Sequence, residues 1–272
     1  MISCVIRTFN EGQLINQLLN SLFAQNYKYP PEIVVVDSGS TDGTIETIKK
    51  FNVQLIQIKK EDFNYSYALN LGIEKCGNEL IALLSGHAVP FDETWFEKII
   101  THFNDNRVAA VYCRQIPMPD ANPYEVLRIN KMFGDTEKSA EHFSNAACCI
   151  RKSVWQEHPY QILPAAEDKE WAQWAMNNGY KIIYEPRAEV YHSHNEPSRR
   201  AAARIIDIEK ANDLRVRRNR TDMLTMKQSI GLFVSDLKKL PLIQSDIYTK
   251  LALIRDSAVK SFWYAYDFNR RK

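Results

Sequence analysis

Four short stretches of this chain combine residue types and spacing suited to chemistry. The run Glu32-Ile33-Val34-Val35-Val36-Asp37-Ser38-Gly39-Ser40-Thr41-Asp42-Gly43-Thr44 is apolar at first and then stops in an acidic, glycine-bearing turn. Gly39 and Gly43 let the backbone turn sharply, which suits a nucleotide but equally an ordinary connection from strand to helix. Ser85-Gly86-His87 also follows an apolar run, and its histidine is a candidate metal ligand or phosphate donor, or a plain turn residue. Glu167 and Asp168 are adjacent carboxylates at a predicted helix start, where the helix dipole and capping favour ionised acids. The same bias suits a general base that takes a proton from a hydroxyl. His192 and His194 stand two apart, on one side of an extended backbone. With His87 they would give two or three nitrogens to a metal and leave positions for diphosphate oxygens.

These residues need elements to hold them. Residues 2–6 alternate as a short strand, and apolar positions 14, 15, 18, 19 and 22 have the spacing of a helix. Residues 33–36 read as a strand covered on both faces, followed by a helix over 44–51 capped by Ser40 or Thr41. Strands over 53–58 and 80–84 flank a helix over 67–76. A helix over 94–103 and a strand over 108–113 follow, before Pro117, Pro119 and Pro123 break the pattern. Further on, the sequence predicts a helix over 124–134, a strand over 146–150, a helix over 168–178 ended by Gly179, and a strand over 181–184 stopped by Pro186. Such alternation favours right-handed parallel crossovers, whose carboxyl edge would bring the Asp37 and His87 turns into one cleft. Trp171 and Trp174 share the 168–178 helix, as core residues or as a stacking platform.

At 272 residues, with 45% hydrophobic and 25% charged content, the chain fits one large α/β domain plus an appendage and excludes collagen, coiled-coil and disordered classes. No apolar stretch reaches bilayer length, so neither a secretion signal nor a membrane anchor is expected, and a cytoplasmic location is. Cys4, Cys76, Cys113, Cys148 and Cys149 lack the spacing of a zinc site or disulfide framework and read as reduced, mostly buried thiols. The charge is unevenly placed. Residues 1–197 hold 18 Lys and Arg against 25 Asp and Glu, a balance of −7, whereas residues 198–272 hold 17 against 8, a balance of +9. That basic, helix-patterned extension could face nucleic acid, an anionic membrane, a phosphorylated substrate, or only solvent. No recognised nucleic-acid module is present, so nucleic acid is not an expected partner.

Thr8-Phe9-Asn10-Glu11, the Val36-to-Thr44 stretch, Ser85-Gly86-His87 and Glu167-Asp168 ahead of a Trp-rich helix together resemble an inverting glycosyltransferase of family 2, over about residues 2–195. Val108-Ala109-Ala110-Val111-Tyr112-Cys113-Arg114-Gln115-Ile116-Pro117 and Asp168-Lys169-Glu170-Trp171 are most similar to bacterial rhamnosyltransferase-like members. The resemblance implies an α/β fold: a single glycosyltransferase A type, Rossmann-like catalytic domain over 1–197 with a mainly parallel central sheet, plus a C-terminal helical extension over 198–272. It implies a nucleotide-diphosphate sugar donor, with dTDP-rhamnose a candidate, and a saccharide or lipid-linked acceptor in bacterial surface polysaccharide synthesis. Arg7, Phe9, Glu11, Asp37 and Ser38 would line the base and ribose. Ser85, Gly86 and His87 occupy the place of the family's Asp-x-Asp, whose last residue binds Mg²⁺ or Mn²⁺. Both aspartates are absent, so His87, with His192 or His194, is the expected metal set. Asp168 falls on the family's base, and Glu167 would position the acceptor or orient its neighbour. Arg199, Arg200, Arg204, Arg215, Arg217, Arg218 and Arg220 could approach the phosphates of a lipid-linked acceptor, and Phe262, Trp263, Tyr264, Tyr266 and Phe268 could dip into the inner face of the plasma membrane as a peripheral contact. The alternative is a non-catalytic nucleotide-sugar or polysaccharide-binding module on the same fold. The missing aspartates support it, and Glu167-Asp168 argues against it.

Overall fold

The computed structural model describes residues 1–121, 123–135 and 142–194, together with positions 234, 238, 254 and 258. The expectations for the basic extension lie almost wholly outside the described residues. Contacts divide the chain into one unit of residues 1–120, 128–163 and 167–193, and a second of 121–127, 164–166 and 194–272. No described helix is long and apolar enough to cross a membrane.

The first part of the chain alternates as its periodicity dictates: β1 (Ile2–Thr8), α1 (Gly12–Phe23), β2 (Glu32–Asp37), α2 (Thr44–Ile48), β3 (Gln54–Gln57), α3 (Tyr65–Lys75) and β4 (Leu80–Ser85). Then come β5 (Val89–Pro90), α4 (Trp95–Ile100), β6 (Val108–Ile116), α5 (Pro123–Met132), β7 (Ala147–Arg151), α6 (Lys152–Glu157), α7 (Glu167–Asn177) and β8 (Lys181–Tyr191). Eight strands form one sheet in the order β3-β2-β1-β4-β7-β6-β8-β5. Strands β1 to β4 pair in parallel, as do β6 and β8. Strand β7 lies antiparallel between β4 and β6, and β5 runs antiparallel to β8. Four of the seven pairings are therefore parallel, but the sheet is mixed, because hydrophobic periodicity carries no information about strand direction.

Alternate residues of β1 and β2 face opposite layers, which accounts for their unbroken apolar runs. Cys4, Ile6, Ile33 and Val35 pack with Ile15, Leu18, Leu19 and Leu22 of α1. Val5 and Val34 pack on the other face with Leu69 and Ile73 of α3, in a cluster that includes Trp171, Ala172 and Ala175 of α7. All five cysteines are buried and free.

Several boundaries differ from the sequence reading. Helix α2 ends at Ile48, and its start is served by Asp42, whose Oδ1 accepts from the Thr44 N–H at 3.1 Å, not by Ser40 or Thr41. The helix after Asp92 stops at Ile100 and continues as a 3₁₀ turn over Thr101–Asn104. Pro186 does not end β8. The register jumps there from Cys113↔Glu185 to Arg114↔Glu189, so the proline sits in a bulge where no ladder N–H is needed.

Candidate active site

Asp37 and Ser85 are the last residues of β2 and β4, and both strands pair in parallel with β1, where Thr8 faces Asp37 and Arg7 faces Ser85. Main-chain bonds continue past the strand ends: Ser38 N–H donates to the Thr8 carbonyl at 3.0 Å and Gly86 N–H to the Arg7 carbonyl at 2.8 Å. Gly86 permits that approach, since a Cβ there would stand 2.7 Å from Thr8 Oγ1 and 2.9 Å from Thr8 Cβ. The buried Asp37 carboxylate accepts from the N–H groups of Gly39 and Ser40, each at 3.0 Å, and from the Ser40 hydroxyl, so it shapes its own turn. Gly39 adopts φ +85°, as the sharp turn requires. The loop after β1 is knitted to this turn. Asn10 N–H donates to Ser40 Oγ and Thr41 N–H to Asn10 Oδ1, both at 2.8 Å, while Glu11 N–H donates to Thr44 Oγ1 at 2.9 Å.

The cradle has an aromatic and cationic margin. The Arg7 guanidinium lies 5.1 Å from the Tyr65 ring centre, and Lys60 Nζ lies 5.0 Å from that of the half-exposed Phe9. Arg7 Nε and the hydroxyls of Thr8 and Ser38 are buried without a hydrogen-bond partner among the described residues. Lys60 and Tyr65 escaped the sequence reading because nothing in their spacing ties them to β1.

Past Gly86, the His87 ring stacks on His192 with centres 4.8 Å apart and planes 10° from parallel. Ring nitrogens of the two lie within 4.8 Å of each other. His87 Nδ1 meets Glu11 Oε1 at 2.6 Å, so Glu11 contacts the histidine pair, a neighbour the sequence reading did not give it. His192 Nδ1 meets Gln115 Oε1 at 2.8 Å. An amide or carboxylate oxygen accepts, so each Nδ1 carries a proton, as in a metal-ligating histidine held from behind. The donor set fits a divalent cation, and imidazoles without carboxylates suit a transition ion better than Mg²⁺. His194 belongs to the second unit, where its N–H donates to Glu125 Oε1 at 3.1 Å.

Glu167 and Asp168 open α7, directly after Ala166, which is held at φ 63°. Asp168 Oδ1 accepts from the Lys169 N–H at 2.8 Å, and the Asn145 main chain beside it also favours the charged carboxylate. Burial foremost, then the Glu167 charge, raises Asp168 above the ordinary aspartate range, overriding the helix start that was expected to favour its ionised form. Glu167, itself buried, receives the Asn145 side-chain amide at 3.4 Å. Tyr160 Oη donates to Asn145 Oδ1 at 2.9 Å. The next residue, Ala146, accepts the Ser85 N–H at 3.0 Å, so a single turn before β7 bonds both the end of β4 and the acidic pair. Asn145, Tyr160 and Gln115 were all missed from sequence, being neutral residues with no telling spacing. Trp171 is buried beside Phe143 and Tyr160, and Trp174 stacks on His158 at 4.6 Å, so packing accounts for both.

A family model described as glycosyl transferase family 2 matches residues 3–157. The chain is 32% identical over 224 residues to the O-antigen chain rhamnosyltransferase RfbN of Salmonella typhimurium, across 76% of this chain and 70% of the relative. It is 29% identical over 222 residues to the O-antigen chain rhamnosyltransferase WbaN of Salmonella anatum, across 75% and 69%. Among solved structures it resembles the mannosyltransferase PcManGT from Pyrobaculum calidifontis in complex with GDP-Man and Mn²⁺, with a TM-score of 0.61 at 16% identity over 99% of this chain and 73% of that one. S. aureus TarS 1–349 in complex with UDP-GlcNAc gives 0.59 at 16% identity, over 100% and 92%. A family match across more than half of the residues and an O-antigen relative aligned over most of both chains agree with the sheet and its carboxyl-edge cleft: the chain belongs to glycosyl transferase family 2 and has the glycosyltransferase A fold.

Proposed function

We propose that this enzyme transfers rhamnose, with inversion, from a nucleoside-diphosphate donor such as dTDP-rhamnose to a hydroxyl of a saccharide or lipid-linked acceptor in the assembly of a bacterial surface polysaccharide. The sugar and the setting follow the names of the relatives RfbN and WbaN. The observation that carries the mechanism is the buried acidic pair bonded to the same turn as the end of β4. Asp168 is the general base. Its raised affinity for a proton makes it a stronger base once ionised, suited to an acceptor hydroxyl. As Asp168 Oδ takes that proton, the acceptor oxygen bonds to the anomeric carbon, the carbon–oxygen bond to the diphosphate breaks from the opposite face, and nucleoside diphosphate leaves.

Arg7 Nε and the Ser38 hydroxyl, buried without partners among the described residues, supply polar contacts to the donor beside the Asp37 turn. His87 and His192 would hold a divalent cation through Nε2, with Mn²⁺ better suited than Mg²⁺ to this donor set. When bound, such an ion neutralises charge on the leaving diphosphate. The test is a panel of nucleotide sugars, read first as thermal stabilisation and then as transfer to a saccharide acceptor. In the responding pair, Asp168→Asn should lower turnover by about 10²–10⁴-fold while donor stabilisation persists. Wild-type turnover in that variant removes Asp168 from the mechanism.

A further inference from the structure

Asn145 donates its side-chain amide to Glu167 at 3.4 Å, and its main chain lies beside Asp168 and favours that carboxylate's charged form. It is 1% exposed, and its carbonyl oxygen faces the Tyr160 hydroxyl at 2.9 Å, with the Cys148 thiol at 3.7 Å. A carboxylate only accepts, so the end of the amide that meets Glu167 is the NH₂ group and the end left to the Tyr160 hydroxyl is the oxygen, to which the phenol donates. We infer that Tyr160 and Asn145 are positioning residues, a two-link relay in which the phenol orients the amide and the amide holds the Glu167 carboxylate beside Asp168.

The inference rests on Asp168 as the base and adds what governs its proton. Two carboxylates side by side in a buried pocket cannot both ionise without donors to steady the second charge. The Lys169 N–H and the Asn145 main chain serve Asp168, and the Asn145 amide serves Glu167. The charged or titratable groups around Asp168 are Glu167 and Lys169 on α7, Tyr160 after α6, Cys148 on β7, and Arg7 on β1, which acts on both Tyr160 and Cys148. Only Lys169 and Arg7 are cationic among them, so loss of the amide donor favours retention of the pair's proton to higher pH. The same turn bonds Ser85 through Ala146, and its Ser144 Oγ receives Gln115 Nε2 at 3.3 Å, which ties the acid pair to the turn that carries His87 and to the partner of His192.

The test needs no donor sugar. Protein carrying ¹³C-carboxyl Asp and Glu is titrated by NMR, and the acidic pair is assigned by the signals lost in Asp168→Asn and Glu167→Gln. Asn145→Ala removes the amide but keeps the main-chain N–H. It should move the lower of the pair's two midpoints, the step that charges the carboxylate the amide serves, upward by about one pH unit, the scale of one hydrogen bond to a charged group. Tyr160→Phe should move it the same way by less, and the double variant should match Asn145→Ala alone, as members of one relay must. An unmoved midpoint, a fall from hydration of a loosened pocket, or additive shifts would each overturn the relay. Tyr160→Phe, which removes a single oxygen, decides the matter by itself if Asn145→Ala does not fold. If the midpoints move as expected while Asp168→Asn transfers sugar at the wild-type rate, the base assignment fails and the relay stands. If Asp168→Asn is inactive and the midpoints stay, the reverse holds.

Discussion

At the scale of single residues, the site depends on groups whose protons are set by their neighbours. Asp168 has a folded-state pKa raised above the ordinary unfolded value near 4, through burial and the Glu167 charge. Between those two values the folded protein binds more protons than the unfolded chain, so this residue makes stability fall as pH rises across that window. Asp168→Asn should remove that slope and raise the melting temperature near neutrality. Melting temperatures of both proteins from pH 4 to 8 check this, and parallel curves would refute it. The histidine pair makes a second claim. Gln115 Oε1 fixes the His192 tautomer, so Gln115→Leu should weaken Mn²⁺ binding by about 10- to 100-fold, read from the free-ion signal in electron paramagnetic resonance. Residue type alone marked Asp37, His87, His192 and Asp168 as candidates, because ionisable groups beside strand ends and helix starts announce themselves. Asn145, Tyr160 and Gln115 did not, since a neutral side chain takes its meaning from partners 15 to 77 positions away.

At the scale of elements, helix α3 shows how closely the layers bearing the cradle approach. A Cβ on Gly72 would lie 2.4 Å from Val5 Cγ1 on β1 and 3.3 Å from Val36 Cγ2 on β2. Alanine is favoured over glycine by about 1 kcal/mol in a helix interior, but overpacking here costs about 1–3 kcal/mol. Gly72→Ala should therefore destabilise the protein in spite of its better helix propensity, and urea unfolding gives the sign directly. The strands and helices up to β4 were legible because each is a local pattern, a short unbroken or alternating apolar run or a repeat of period 3.6. The reversed direction of β7 and the passage of β8 through Pro186 were not. Strand direction depends on where the chain returns, and a proline is tolerated where a bulge removes the need for its N–H.

At the scale of the whole molecule, charge is the property the sequence expresses most openly, with −7 over residues 1–197 and +9 over residues 198–272. An anionic membrane attracts such a basic segment by about 1 kcal/mol per Lys or Arg held near the surface, and salt screens the attraction. The full chain should float with vesicles rich in anionic lipid at low salt, leave them at high salt, and ignore neutral vesicles; equal binding to both lipids would count against a peripheral membrane role. By itself the sequence determined the fold class and the residues able to titrate or bind metal, since both follow from short-range pattern and side-chain chemistry. Only the tertiary structure decided which of them meet. The Glu11–His87 contact, the stacking of His87 on His192, and the turn that bonds Ser85 and Asp168 join residues brought together by crossovers of the sheet, and desolvation in the folded interior, absent from the extended chain, is what raises the affinity of Asp168 for its proton.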